Sequence, residues 1–598
     1  MSFRSHIPNM IDTLIIGAGP SGLCAAKTFL QYDPDADIVI IDANKTIGGV
    51  WSRERLYPTL KTNNLFSTVD FSDFPMDALR FGINPGEHVT GETMHSYIKA
   101  YADHFNLTHR VRFNTRVKEI THREPVDEGH TSWDIEIENG ETLHCRKLVV
   151  ATGMQTNPHM PAIDGIEDFR APFVHSSSLG ERTEELMNNP EIKTIGVIGG
   201  SKSAYDAVFL AASTGHDVEW IIRKSGRGPT WVVPARTMMG PFLALRERLV
   251  TRRLMSLMSP WPFPDYSGFA WLRNFLHFSW LGKLVAQRFW GKVHAGSLRD
   301  CRYRENEHYE VLEPEQNPFW YGTSSGVLNY GEDVLKYVSS GRVRIHRADV
   351  SHLSDHTIHV RTDRYEPRPL ALDAIVACTG YSAKPTLAFS PPSFQFDIGV
   401  PSTSATKSQS AFWGQLDERA DLIIGSQYPR LLLGPFQSPT SSTPKYFNPG
   451  ATSEAEAPYT PWRLYRGMAP PGLTASGDHS LVFISMFSGV SNTIRVEMQC
   501  LWALAYFRNE LSELKKDKED KKIFLETALF QRYARHRAPY GHGPSYPDLV
   551  ADQLPYWDLL LHDLRLETRR KGGWRELVEP YTQQDYAGLV DEWSSKRR

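Results

Sequence analysis

The sequence predicts an α/β protein with two Rossmann-like dinucleotide-binding units, the second inserted in the first, plus a helical, aromatic insertion and a C-terminal extension. Two stretches carry that expectation. Near the N-terminus an apolar run enters Gly17-x-Gly19-x-x-Gly22, continues as an apolar helix and returns to a strand ending at Asp42. Near residue 195 the same order begins again with altered glycines. At 598 residues the chain has room for roughly two to four domains with real cores.

In the first unit, residues 14–16 are apolar and uncharged, as a parallel strand buried on both faces requires. Glycines at 17, 19 and 22 permit a tight turn, close approach of a pyrophosphate to the backbone, and close packing of the helix at 23–30 on the strand. The pyrophosphate would sit on the unpaired N–H groups at the helix start. Asp42 ends the next apolar strand, 20 residues beyond Gly22, where it can accept hydrogen bonds from both hydroxyls of an adenine ribose. The cofactor this arrangement selects is FAD. Gly48 and Gly49 follow, letting the backbone pass close to a ligand, and Trp51 can cover a ring; the bland alternative is a glycine turn with a core Trp. Residues 57–63 and 71–75 read as loops, 92–107 as a helix, and 111–120, 133–138 and 143–150 as strands, the last running into Ala151-Thr152-Gly153.

The second unit opens with Gly199-x-Ser201-x-x-Ala204, Ser203 lying between, and a helix over 205–212. Small residues keep most of the steric room, although Ser201 is tighter than glycine toward a phosphate. The following strand ends in Arg223-Lys224 where the first ended in Asp42. An acid repels a 2′-phosphate and a guanidinium pairs with it, so this site is expected to take NADPH.

Residues 226–330 interrupt the second unit with Trp231, Trp261, Trp271, Trp280 and Trp290 among many Arg and Lys. A lid packed on the fold with its charges outward is the favoured reading. The alternative is peripheral membrane contact through 231–295. Strands at 342–360 and 374–376 close the unit at 377–381, and 382–460 reads as a loop-rich elaboration. Thr493 then opens a helix whose free N–H groups can meet the anionic end of a flavin ring. The charge run 515–522 reads as a solvated helix or linker. The expected organisation is 10–190 and 382–512 for the FAD unit, 191–381 for the NADPH unit, and 513–598 for the extension, in which no chemistry is legible.

A net charge of -3 gives no electrostatic reason to expect nucleic acid. Five widely spaced cysteines offer neither metal-ligand nor redox spacing and point to a reduced compartment. Without a leader or an unbroken run of 18 apolar residues, the expected location is cytoplasmic, with membrane association through the insertion as the alternative.

Over roughly residues 10–510 the chain resembles the flavin-containing monooxygenases, the class B flavoprotein monooxygenases that include Baeyer–Villiger enzymes, and looks closest to fungal members. Gly17, Gly19, Gly22 and Asp42 match the family's FAD fingerprint, and Gly48-Gly49-Val50-Trp51 its Gly-Gly-x-Trp. Tyr57-x-x-Leu60-x-Thr62-Asn63 with Asp73-Phe74-Pro75 is similar to its Thr-Asn and Asp-Phe-Pro segment, and 377–381 to its Ala-Thr-Gly-Tyr. The stretch 169–179 keeps Phe169 and His175 of the family's identifying sequence but has Ala171 for Gly and Leu179 for the terminal aromatic. The resemblance implies an FAD- and NADPH-dependent monooxygenase that inserts one oxygen of O2 into a bulky organic substrate through a C4a-(hydro)peroxyflavin, plausible in secondary-metabolite biosynthesis. It places Asn63 beside the reactive flavin carbon; for His175 a hinge or structural role is the favoured reading and general acid the alternative. No Arg stands at the loop position matching Baeyer–Villiger enzymes, which favours oxygenation of nitrogen, sulfur or activated carbon over ketone insertion. The rivals are ketone oxygenation, a flavin disulfide reductase, which needs a cysteine pair beside the flavin, and a catalytically silent nucleotide-binding protein.

Overall fold

The computed structural model describes residues 10–124, 131–362, 366–382, 384–433, 459–516 and 520–597. Its larger sheet has eight strands. The strand Met10–Ile16 lies between Ile38–Ile41 and Thr142–Val150, parallel to both, with Ile15 opposite Ile40 on one side and Val149 on the other. Thr142–Val150 serves two partners along its other edge. Its first half pairs antiparallel with Ser132–Ile137, and its second half pairs parallel with Leu481–Phe483. Phe389–Ser390, paired with Val117–Arg123, and then Leu481–Phe483 return the chain to the first sheet, so the intervening nucleotide unit is an insertion.

The second sheet has five strands, all parallel, in the order Val343–Arg347, Asp217–Ile222, Thr194–Ile198, Ala374–Ala377, Phe173–His175. The boundary read at 190 therefore falls too late. Phe173–His175 precedes it in sequence yet pairs in the second sheet, a long-range choice with no local signal.

Two stretches are more ordered than the sequence suggested. Within 382–460, expected to be loops, Lys407–Gln427 forms a helix of 21 residues. It begins at a capping box between Thr406 and Gln409, and buries Trp413, Ala420 and Ile424 against the helix Asp520–Arg537. Residues 434–458 of that stretch, and part of the charge run 515–522, lie outside the described residues. The C-terminal extension is also integral to the core. Asp548–Leu549 pairs with Ser488–Gly489, and the helix Gln553–Asp563 packs on Asn492–Phe507, which is buried all round from Thr493 onward.

The insertion divides in two. Trp231 and Trp261 are buried, and Trp290 donates its indole N–H to the Met258 carbonyl, so these rings are lid core. Trp271 and Trp280 face outward. The lid is fastened to the extension by Arg253, fully buried between Asp558 (N–O 2.5 Å) and Glu576 (2.9 Å). Removing one partner would strand a buried charge, a loss of about 3–5 kcal/mol. Burial raises the Asp558 carboxyl to about 6, and the guanidinium opposes that rise. No helix among the described residues is long and apolar enough to cross a membrane.

Candidate functional site

The first glycine turn is built from close backbone approaches. Gly17 has φ 115°, and a Cβ there would lie 2.5 Å from the Ala151 carbonyl oxygen. A Cβ on Gly22 would lie 1.9 Å from the Gly17 oxygen. Gly19 and Gly49 face each other instead; a Cβ on Gly19 would meet the Gly49 Cα at 3.6 Å. The turn is held by Asp42, whose carboxylate accepts from the Ala18 N–H at 2.6 Å and the Asn44 N–H at 2.7 Å. Each oxygen keeps a further lone pair for a ribose hydroxyl. The helix Pro20–Tyr32 starts at Gly19 without a side-chain cap, leaving its first N–H groups available to an anion. Trp51 stands half-buried in the short helical turn Gly49–Trp51, its carbonyl accepting from His95 Nδ1.

Across from this turn the helix Asn492–Phe507 begins at Ser491, which has φ 50° and no side-chain cap. The Thr493 hydroxyl is buried without a hydrogen-bond partner. The Ser21 and Ser485 hydroxyls, 2.9 Å apart, tie the start of the first helix to the loop that follows Leu481–Phe483. Two uncapped helix starts and an orphaned hydroxyl are the donors that a pyrophosphate and the anionic edge of a flavin require, so these residues fit FAD.

The Thr62-Asn63 segment lies on the strand Lys61–Leu65. Thr62 is buried and accepts from the Val89 N–H at 3.1 Å, while Asn63 is exposed. Its neighbour Asn64 donates to Glu247 at 2.6 Å; Thr68 and Ser491 donate to the same carboxylate at 2.7 and 3.2 Å. Glu247 thus joins the insertion, the Thr-Asn segment and the start of the 492–507 helix at one point. Burial raises its pKa, and its three hydrogen bonds oppose that rise. The sequence reading missed Glu247, because one acid in Arg-Glu-Arg-Leu carries no local signal.

The second turn repeats the first. Gly199 has φ 142°, and a Cβ there would meet the Cys378 carbonyl oxygen at 2.4 Å. Ser201 precedes the helix Lys202–Ser213 without capping it, Ser203 is exposed in its first turn, and Ala204 is fully buried. Arg223 is exposed at the end of Asp217–Ile222. Lys202, also missed, donates to Asp206, Asn329 (3.0 Å) and Tyr330 (3.2 Å). Asn329 in turn donates to the carbonyls of Lys61 and Thr62 at 3.0 and 3.2 Å, linking the two nucleotide units.

His175 has both nitrogens engaged. Nδ1 accepts from the Ser177 N–H at 3.1 Å, which leaves Nε2 to donate to the Gly380 carbonyl at 2.9 Å. Burial holds its pKa below the usual range. Leu179, at the family's aromatic position, is a core residue. All five cysteines are free and buried. Cys500 Sγ donates to the Ser21 carbonyl, and Cys24, far off in sequence, lies near enough to help hold the Cys500 thiol up. Both cysteines lie in the packing between Pro20–Tyr32 and Asn492–Phe507, fully buried, and burial raises the Cys500 thiol well above its ordinary value.

Two sheets, one mixed and one all parallel, each with a parallel strand running into a glycine turn and an uncapped helix, define a two-dinucleotide oxidoreductase. The sequence profile of the family described as pyridine nucleotide-disulphide oxidoreductase matches residues 14–237. The FAD-dependent monooxygenase resA of Aspergillus sclerotiorum is 31% identical, covering 98% of this chain and 99% of its own length. The FAD-dependent monooxygenase DEP4 of Alternaria brassicicola is 30% identical, covering 98% and 95%. The open crystal structure of cyclohexanone monooxygenase shares the fold, with TM-score 0.53 at 13% identity over 93% of this chain and 98% of that one. The chain belongs to the FAD-dependent monooxygenase family and is an oxidoreductase.

Proposed function

We propose that this protein uses FAD and NADPH to place one oxygen atom of O2 on a bulky, apolar organic substrate, in secondary-metabolite biosynthesis. The observation that carries the reading is the pair of glycine turns, joined through Lys202, Asn329 and the Thr62 carbonyl, so that two nucleotides can meet at the Thr62-Asn63 strand. FAD, when bound, accepts hydride and activates O2.

The chain's own residues bind, orient and shield. Gly17, Gly19, Gly22 and Gly49 leave the backbone bare for the pyrophosphate, and Asp42 holds the turn and faces the ribose. Thr493 and the N–H groups beside it receive the anionic edge of the flavin. Gly199, Ser201 and Ser203 take the pyrophosphate of NADPH, and Arg223 its 2′-phosphate. Asn63, exposed on its strand, hydrogen-bonds the reacting face; Trp51 encloses it and keeps water out. Glu247 fixes Asn64 and Ser491, and through them both sides of that face. His175 acts as a positioning residue, because its Nε2–H is committed to the Gly380 carbonyl. The chain works in a reducing, cytoplasmic setting, which its free thiols fit.

The test is purification followed by a visible spectrum and an NADPH-oxidation assay with a peroxide readout. A yellow protein that oxidises NADPH and, without substrate, releases hydrogen peroxide supports the reading. A colourless protein that FAD cannot reconstitute sinks it.

A further inference from the structure

The helices Ala270–Phe278 and Trp280–Cys301 carry large apolar side chains on the outside of the insertion. Trp271 is 67% exposed and Trp280 79%, values rare for Trp in a folded chain. On the first helix Trp271, Phe275 and Phe278 are exposed at i, i+4 and i+7, one continuous stripe, while Arg273 and Leu276 face inward. On the second, Leu281, Val285 and Arg288 repeat that spacing outward, with Gly282 and Ala286 inward. The second half of the first helix meets the start of the second: a Cβ on Gly282 would lie 2.0 Å from the Phe275 carbonyl oxygen. The stripes are therefore neighbours on one face.

The charge on these helices has one sign. Residues 266–299 contain no Asp or Glu. Lys283, Arg288 and Lys292 are exposed and enter no ion pair among the described residues. A second copy of the same face would oppose like charges. Trp and Phe flanked by unpaired cations match the boundary between acyl chains and anionic headgroups.

We propose that this face docks onto the surface of an anionic lipid bilayer, Trp271, Phe278 and Trp280 entering the headgroup region and Lys283, Arg288 and Lys292 meeting lipid phosphates. The contact is peripheral and separate from the nucleotide turns.

Co-sedimentation of the purified holoprotein with phosphatidylcholine vesicles, with and without phosphatidylserine, tests it. Binding is expected to phosphatidylserine vesicles and to weaken at high salt. The triple variant Trp271→Ser, Phe278→Ser, Trp280→Ser should weaken partitioning by more than about tenfold. Lys283→Gln and Arg288→Gln should each weaken it by about fivefold, on phosphatidylserine vesicles alone. Flavin absorbance and NADPH oxidation, kept in every variant, show that folding is intact. The proposal is overturned if the wild-type protein ignores phosphatidylserine vesicles, or if the triple variant binds them as well as wild type. It is equally overturned if the triple variant abolishes a concentration-dependent dimer in analytical ultracentrifugation, since the face would then belong to a second copy.

Discussion

The two glycine turns share one plan and differ at two positions, Gly19 against Ser201 and Gly22 against Ala204. In each, the first glycine passes so close to the end of a neighbouring strand that a Cβ would lie 2.5 Å (Gly17) or 2.4 Å (Gly199) from a carbonyl oxygen. Both also need a positive φ that L side chains avoid. At the third position they part. Gly22 leaves 1.9 Å to the Gly17 oxygen, whereas Ala204 carries its methyl fully buried. The first glycine is thus demanded by the chain itself, and the third only by how tightly helix meets strand. Ala204 reflects a slightly opener turn rather than a lost nucleotide site.

The largest expected effect tests that difference directly. Gly22→Ala should cost about 3 kcal/mol or more and strip the flavin, because backbone has to move. Ala204→Gly should cost only about 1 kcal/mol, the price of glycine in a helix, and keep NADPH-driven flavin reduction. Thermal melts and the flavin absorbance of both variants decide it; equal losses would erase the distinction. Next in size, Gly19→Val is expected to fold but purify colourless. Its Cβ has ordinary clearance, while the branched methyls fill the gap facing Gly49. A fully yellow variant would mean that the pyrophosphate lies elsewhere.

Arg223→Ala separates the turns by cofactor. One charge-assisted contact to a phosphate is worth about 1.5–3 kcal/mol, so the preference for NADPH over NADH should fall by roughly 10- to 150-fold. Flavin-reduction rates with both nucleotides would measure this, and an unchanged ratio would remove Arg223 from the site.

The smallest effect lies behind the first turn. Glu497 is buried, accepts from the Ser72 N–H and hydroxyl, and burial, with Asp73 nearby, raises its carboxyl to about 8. A carboxyl with a raised pKa is protonated in the folded state. Its stabilising contribution is complete below about 4.5 and is lost as pH climbs toward about 8. Glu497→Gln should therefore flatten the decline of melting temperature over that window; a parallel decline in the variant would refute it.

What was legible in the sequence was what the backbone demands locally. Glycines 17, 22 and 199 are required by their own φ or by a single close approach, and Asp42 by the strand it ends. The helix Lys407–Gln427 went unread because its apolar residues are sparse and serines crowd its start, although Thr406 and Gln409 already spelled its cap. Glu247, Lys202 and Asn329 act across units, Cys24 and Cys500 come near each other from distant helices, and no spacing along the chain encodes such meetings. The same holds for Phe173–His175, whose sheet is chosen by Ala374–Ala377.

The pairing of Leu481–Phe483 with Leu148–Val150 has a consequence for synthesis. The first sheet stays open along half of one edge until the ribosome has made the whole second unit. The helix Asn492–Phe507 and its cover Gln553–Asp563 emerge later still. Contacts of such separation close slowly, and an unpaired strand edge meanwhile invites aggregation. The second sheet, whose pairings all lie between residues 173 and 377, can close while the first still waits. The nascent protein thus spends its longest vulnerable interval with the FAD unit unfinished, and a chain cut before residue 481 would never close that sheet.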